Sequence, residues 1–285
     1  MLHISYARVC ITYPIFLVLF LRPRIYEVRL APVTPRQVLY FTKERRNGRI
    51  CKLLGRGYYN KWSKTLFMTR LSGDLVRHRL STRLFGQNVV YTAQTGSTNT
   101  ELKKLARWGA PEGLLYLVDE QLAGRGRMKR RWYAPAGSSL LMSLLFRPGQ
   151  IVAPAQSQRL TMLCALALAD AVEAQTGLVP GLKWPNDLVW KDGKKLAGIL
   201  TELEIEGDRL NWAVVGLGLN VNLDFRQVEP DQNEPAGNGG TPLSQTATSL
   251  SMILSQDTSH LRLPILQSFL VNVASSHCDV ARPFV

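Results

Sequence analysis

The chain has 285 residues, 46% of them hydrophobic and 20% charged. That composition excludes a wholly disordered chain, a collagen and a polytopic membrane protein, and the length suits one large domain or two small ones. The formal net charge of +14 is confined to the first third: residues 1–90 hold 17 Lys and Arg against 3 Asp and Glu, whereas residues 91–285 hold 18 of each.

Within that basic third, residues 1–67 hold 13 Lys and Arg against 2 Asp and Glu. A basic arm of this kind invites nucleic acid or an acidic membrane surface as a partner. The apolar stretch Val9–Leu21 is flanked by Arg8 and Arg22 and interrupted by Pro14. It is shorter than the ~20 residues of a membrane span. Its length suits the apolar region of a signal peptide, but the RPRIYEVRL that follows has no small-residue cleavage site. The remainder of 1–67 shows no clear periodicity, and RRNGRICKLLGRGYYNKWSK at 45–64 reads as basic coil.

From Met68 onward the punctuation is regular. Thr98-x-x-Glu101 reads as a capping box, with Leu102, Leu105 and Ala106 on one helical face and Gly109 as the stop. LLYLV at 114–118 and LLMSLLF at 140–146 read as buried strands, the second ended by Arg147-Pro148-Gly149. Residues 154–176 read as a long helix opened near Pro154 and closed by Gly177. Three apolar runs follow, 188–190, 196–205 and 210–221, joined through Asp192-Gly193 and Gly207-Asp208, the mark of an antiparallel meander. A polar, Gly- and Pro-rich loop covers about 229–242, and Leu263-Pro264 opens a helix carrying Ile265, Leu266, Phe269, Leu270 and Val273. The expected fold is α+β, a mixed, mostly antiparallel sheet flanked by helices, with its core between about 71 and 275.

Several chemistries are disfavoured. No GxxxxGK[ST] loop is present, GRGRMK lacks the third glycine of a dinucleotide fingerprint, and GLGLN ends a strand without a following helix. His3, His78, His260 and His277 lie outside the dense motifs, which argues against histidine-based nucleophilic or metal catalysis. Cys10, Cys51, Cys164 and Cys278 form no CxxC pair and read as scattered thiols in a reducing, cytoplasmic compartment.

Three dense segments carry the chemistry. Gly124–Trp132 packs five cations and two glycines into nine residues; it is able to lie against phosphate, and reads equally as an exposed basic loop or a nucleic-acid patch. Lys183-Trp184-Pro185-Asn186-Asp187 is costly between strands and reads as a functional cluster or an Asx-capped turn. Lys195-Leu196-Ala197-Gly198 places one lysine before a strand with an embedded glycine, a sign of close approach by a ligand or another backbone, beside the plainer reading of a solvent-facing lysine. Gly216 and Gly218 repeat the theme and suggest a flat bound group or a bulge.

Taken in order, Gly96-Ser97-Thr98-Asn99, Gln121-Leu122-Ala123-GRGR-x4-Trp132, KWPND, KLAGIL and GLGLN resemble the biotin protein ligases over about residues 75–275. The resemblance implies the biotin/lipoate ligase fold and a two-step reaction. Biotin and ATP give biotinyl-5′-AMP and pyrophosphate, and a lysine of a carboxylase's biotin carrier domain then takes the biotinyl group. It implies catalytic roles for Arg125, Arg127, Lys195 and Asp187. It implies biotin contacts from Ser97, Thr98, Asn99, Gln121, Gly124, Arg125, Gly126, Arg127, Trp132, Lys195, Gly216 and Gly218. Arg127, Arg130, Lys183, Asn186, Asp187, Lys195 and Asn220 would bind ATP, and Asp187 would hold Mg²⁺. A homodimer is compatible with it. Lipoate ligation and DNA-binding regulation are the competing readings; residues 1–70 lack the two amphipathic helices of a helix-turn-helix, so neither sequence-specific DNA nor a membrane is expected as a partner.

Three departures stand out. Lys129 occupies the third-glycine position of the family loop, GRGRxGRxW. Residues 1–67 read as a disordered or mis-assigned leader, with translation expected to begin near Met68. The catalytic domain is expected to span 68–276, with 277–285 an irregular tail in place of the family's small C-terminal β-barrel.

Overall fold

The computed structural model describes residues 71–149, 152–228 and 241–280, together with strands at 9–12, 16–21, 24–28, 37–46 and 49–58. The chain divides into two compact units, Met1–Phe67 and Met68–Val285.

In the first unit β1 (Val9–Thr12), β2 (Phe16–Leu21) and β3 (Arg24–Val28) form one antiparallel sheet, and β4 (Gln37–Arg46) pairs with β5 (Arg49–Tyr58). This corrects the coil reading at 45–46 and 49–58, and the rest of 45–64 lies outside the described residues. Arg46 pairs with Arg49 across Asn47-Gly48, a two-residue hairpin signal masked in the sequence by the density of flanking charge.

The second unit is built on a seven-stranded sheet. Its strands are β6 (Val89–Thr95), β7 (Leu115–Gln121), β8 (Ser139–Phe146), β9 (Gly181–Lys183), β10 (Asp187–Val189), β11 (Lys195–Glu206) and β12 (Arg209–Asn220). Their order is β6-β7-β8-β12-β11-β10-β9, and only β6 and β7 run parallel. That parallel pair needs a crossover, supplied by helix α2 (Thr98–Arg107), which follows the short α1 (Gly73–Arg77). The long helices are α3 (Gln158–Thr176) and α6 (Arg262–Val280), with short α4 (Leu243–Thr246) and α5 (Leu250–Leu254) between them. The mixed, mostly antiparallel α+β architecture is as expected.

Strand alternation assigns the two faces. On one face Leu140, Met142, Leu144 and Phe146 of β8 and Ala213, Val215, Leu217 and Leu219 of β12 join Leu160, Cys164, Leu168 and Val172 of α3 and Ile265, Phe269 and Val273 of α6 in the main core. Cys164 is fully enclosed there, and burial pushes its thiol far up, so it is a packing residue and not a nucleophile. On the other face Leu145, Trp212 and Val214 take Leu102 and Ala106 of α2. Further along that second face β12 carries Gly216 and Gly218 where Trp212 and Val214 stood, so the sheet becomes a hollow beside the start of α2.

Local differences from the sequence reading have local causes. Ser97, not Thr98, caps α2, and its side chain makes no cap bond. Thr98 N–H and Oγ1 instead reach Gln121 Oε1 at 2.8 and 3.2 Å, so Thr98 serves a tertiary contact while Glu101 pairs with Lys104 within the helix. The long helix starts at Gln158, after a separate 3₁₀ turn at Pro154–Gln156. Helix α6 begins at Arg262 and passes residue 276 to reach Val280, which corrects the irregular tail over 277–280. No Gly or Pro interrupts 265–280, so nothing in that stretch stops a helix. The polar loop at 229–242 and the tail at 281–285 lie largely outside the described residues, as does the proposed start at Met68.

Candidate active site

Registry builds the floor. Gly198 pairs with Gly218, and Leu200 with Gly216, in the long β11–β12 ladder. A Cβ on Gly216 would overlap the carboxamide of Asn99, and one on Gly218 would lie 2.5 Å from Trp132 Cε2. A Cβ on Gly198 would lie 2.9 Å from both Lys195 Cε and Trp132 Cζ3. The embedded glycines are therefore there for close approach, as their placement in apolar strands suggests. Gly216→Ala is expected to destabilise the chain by about 1–3 kcal/mol by overpacking, read by thermal unfolding. An effect under about 0.5 kcal/mol, the ordinary surface range, would mean that Asn99 steps aside.

The arginine loop is a small hairpin. Trp132 N–H donates to Gly124 O at 2.9 Å, Arg125 bridges Arg131, and Gly126 N–H donates to Arg130 O at 2.7 Å. Arg127–Lys129 make the turn, with Met128 in the left-handed region at φ 56°, a conformation that costs an L-residue about 1 kcal/mol. The hairpin lays the indole of Trp132 on the glycine floor. The indole N–H is buried and has no acceptor among the described residues, an arrangement that leaves a donor for a ligand to satisfy.

A polar corner closes one end. Ser143 Oγ–H is shared between Asn99 Oδ1 at 2.6 Å and Thr98 Oγ1 at 2.7 Å. Asn99 Nδ2 donates to Leu200 O at 3.1 Å and to Glu202 Oε2 at 2.9 Å. Glu202 also accepts from Lys103 Nζ at 2.5 Å and from Arg125 Nη2 at 2.9 Å. Burial works to raise the Glu202 pKa, but hydrogen bonds from Lys103 and Asn99 and the charges of Arg125 and Lys103 outweigh it and hold the carboxyl below the usual range.

Cations line the other end. Lys195 Nζ lies 2.7 Å from Asp187 Oδ1 and 5.6 Å from the Trp132 ring centre. Its backbone is fixed by Thr248 N–H, which donates to Lys195 O at 2.9 Å. Arg127 Nη1 donates to Asn186 Oδ1 at 3.1 Å, and Asn186 Nδ2 donates to Ile199 O at 2.8 Å.

One cavity of about 40 Å³ unites Ser97, Thr98, Asn99, Gln121, Arg125, Gly126, Arg127, Trp132, Asn186, Lys195, Gly216 and Gly218. The other expected residues stand apart from its lining. Gly124 acts through the hairpin backbone. Arg130 is exposed, and so is Lys183 on edge strand β9. Asp187 meets the site through Lys195. Asn220 is buried, and its amide donates to Thr248 O at 2.9 Å and Lys195 O at 3.4 Å, so it supports the backbone of the lysine. Arg125 spends its Nη2 on Thr100 Oγ1 and Glu202, which leaves Arg127 as the loop arginine at the cationic end. The side chain of Lys129 lies outside the described residues. Sequence reasoning missed Ser143 and Glu202; the one signal was a hydroxyl and a carboxylate set in otherwise apolar strands.

A glycine floor, a hydroxyl–amide corner and a pair of cations thus meet under a basic hairpin. Residues 91–220 match the Biotin/lipoate A/B protein ligase family. The chain is 40% identical over 153 residues to the bifunctional ligase/repressor BirA of Bacillus spizizenii, covering 54% of this chain and 46% of that protein. It is 38% identical over 143 residues to the biotin–[acetyl-CoA-carboxylase] ligase of Mycobacterium tuberculosis, covering 49% and 51%. Among solved structures it resembles the biotin protein ligase from Aquifex aeolicus in complex with biotin and ATP, with a TM-score of 0.50, 28% identity and coverage of 67% of this chain and 72% of that one. The chain thus spans about half the length of these curated relatives. The likeness to biotin protein ligases therefore rests on residues 91–220, the part that the family matches.

Among the described residues no helix is long and apolar enough to cross a membrane.

Proposed function

We propose that this chain is an ATP-dependent biotin protein ligase whose catalytic unit is the Met68–Val285 body. The observation that carries the reading is the convergence of Lys195 and Arg127 with the Gly198–Gly216–Gly218 floor and the Ser97–Asn99 corner on one cavity.

Biotin presents one ureido acceptor and two ureido donors on an apolar bicycle, with a carboxylate at the far end of its chain. The corner's hydroxyls and amides match the first, the glycine floor the second, and Lys195 and Arg127 the third. The indole of Trp132 rests on that floor, so the hairpin has to swing out to admit the bicycle and then close over it. In the first step a biotin carboxylate oxygen attacks the α-phosphorus of ATP. The bond to the bridging β-phosphate oxygen breaks, and pyrophosphate leaves. An anion must approach a polyanion here, and Lys195 and Arg127 offset that repulsion where charge develops. In the second step a carrier lysine amine attacks the acyl carbon, AMP leaves with the C–O electron pair, and the amine loses a proton. Closure of the hairpin keeps water from the anhydride between the steps.

Mg²⁺ is tested by its donor set. Asp187 is one carboxylate already paired to Lys195, and no group of three or more acidic, His or Cys residues occurs among the described residues. The described residues therefore offer no Mg²⁺ cage of their own. Asp187 would hold the ion only as it arrives on nucleotide phosphates, and no step above is routed through it. The repressor role in the Bacillus name stays with that protein.

The experiment is ATP–pyrophosphate exchange with biotin or lipoate as the acid. Biotin-dependent exchange is expected, followed by transfer to a biotin carrier domain. Exchange with lipoate and not biotin would overturn the substrate, and exchange with neither would overturn the activity.

A further inference from the structure

We propose that Glu202, a residue outside the five ligase motifs, is the positioning residue that locks the arginine hairpin and the polar corner into one ligand-ready arrangement. This deepens the ligase reading of the same cavity and rests on it.

Glu202 lies on the site face of β11. It is opposite Val214 and four pairs along from the Gly198–Gly218 pair. Its carboxylate takes donors from three places at once. Lys103 comes from the second turn of α2, Asn99 from the first, and Arg125 from the hairpin. The Glu202 side chain keeps only 21% of its exposure, so these bonds are partly shielded from water. A carboxylate that accepts charged donors in such a place holds them more firmly than a surface pair does.

Two consequences follow for the cavity. The first is the polarity of the corner. With Nδ2 committed to Glu202 and Leu200 O, Asn99 must turn Oδ1 toward Ser143 and the Gly216 floor. Ser143 then also faces Thr98, and Thr98 faces Gln121. Loss of the carboxylate removes the charged one of the two acceptors that hold Nδ2, leaving Leu200 O to orient the amide. A flipped Asn99 would present a donor where the ligand meets an acceptor. The second consequence is mechanical. Arg125 is in the sequence segment that must open and close, and Glu202 ties it to the sheet. Without that carboxylate, Lys103 and Arg125 are two like charges facing each other.

Lys195 and Arg127 do not touch Glu202; their partners are Asp187 and Asn186. Damage at Glu202 should therefore weaken ligand capture and leave the bond-making charges in place. This separates a positioning residue from a merely structural one, which would lower all parameters together with the melting temperature.

The test uses Glu202→Gln and Glu202→Ala in the full chain. Half-saturating biotin in pyrophosphate exchange is expected to rise about tenfold or more, as losing hydrogen bonds to charged groups implies, while the saturating rate stays within about threefold. Trypsin should cut the unliganded hairpin after Arg127, Arg130 or Arg131 faster than in the parent. Glu202→Asp should recover part of both effects. Half-saturation within about twofold of the parent, with unchanged tryptic cleavage in Glu202→Gln, would overturn the proposal. If the parent shows no biotin-dependent exchange, the ligase reading fails. The tryptic rate of the unliganded chain still decides the clamp in that case.

Discussion

Lys195→Ala is expected to slow biotin-dependent pyrophosphate exchange by about 10²–10³-fold, the range for one preorganised group that meets developing transition-state charge. The expectation follows from how little freedom the lysine has. Its carbonyl is held by Thr248 N–H and approached by the Asn220 amide, and its side chain folds over Gly198, where no Cβ stands in the way. Asp187 keeps the ammonium 2.7 Å away until an anion arrives to share it. The three donors of an ammonium allow that sharing without full release from Asp187. Arg127→Ala should fall in the same range, since Arg127 lines the same cavity as Lys195. The loss should appear in the rate at saturating substrate as well as in its ratio to the half-saturating concentration. The melting temperature should hardly change, because Lys195 and Asp187 are both partly exposed. Rates within about twofold of the parent for both variants would remove these residues from the transition state.

The largest effect on stability is expected at Arg262. This arginine at the start of α6 is 1% exposed, and its Nη2 donates to Asp119 Oδ1 at 2.6 Å. Tyr91 O–H donates to the other carboxylate oxygen at 2.5 Å. Asp119 also sits where β7 leads into the hairpin, and its carbonyl accepts from Gly137 N–H at 3.0 Å. Truncating Arg262 to alanine leaves a shielded carboxylate without its counter-charge. The expected cost is about 3–5 kcal/mol, because breaking one half of a buried pair costs far more than the pair is worth. For a body of this size that lowers the melting temperature by roughly 6–20 °C. Asp119→Asn in the Arg262→Ala background should restore part of the loss, since it removes the orphaned charge and keeps a partner for Tyr91. A single-variant loss below about 1 kcal/mol would show that solvent reaches the pair.

What could be read from the sequence was local. The meander was legible because Asp192-Gly193 and Gly207-Asp208 mark its turns, and both glycines adopt positive φ. The helix over 158–176 was legible through Gly177, which ends it at φ 72°. The glycines within β11 and β12 were legible as points of close approach. Long-range pairing was not. Nothing around Glu202 in TELEI separates it from an ordinary solvent-facing glutamate, and its partners lie 77 to 103 residues away in the chain. The split between Arg125 and Arg127 was hidden for the same reason. The two are alike in the motif, and only the fold brings Glu202 to one of them. Strand β6 was missed although VVYTAQT is rich in β-branched and aromatic residues, because its partner arrives only after a helix.

The β11–β12 hairpin has an uneven division of labour along its length. Its open end holds the glycine floor in fixed register, with Lys195 just beyond the last pair, and its closed end carries the Gly207-Asp208 turn. Between them the register shifts at Glu204/Ile205. A shift of this kind acts as a slip joint: extra length or twist entering at the turn can be taken up there before it reaches the Gly198–Gly218 pair. The turn is thus mechanically isolated from the chemistry, and evolution or an engineer can lengthen, label or recharge it while the reacting end keeps its spacing.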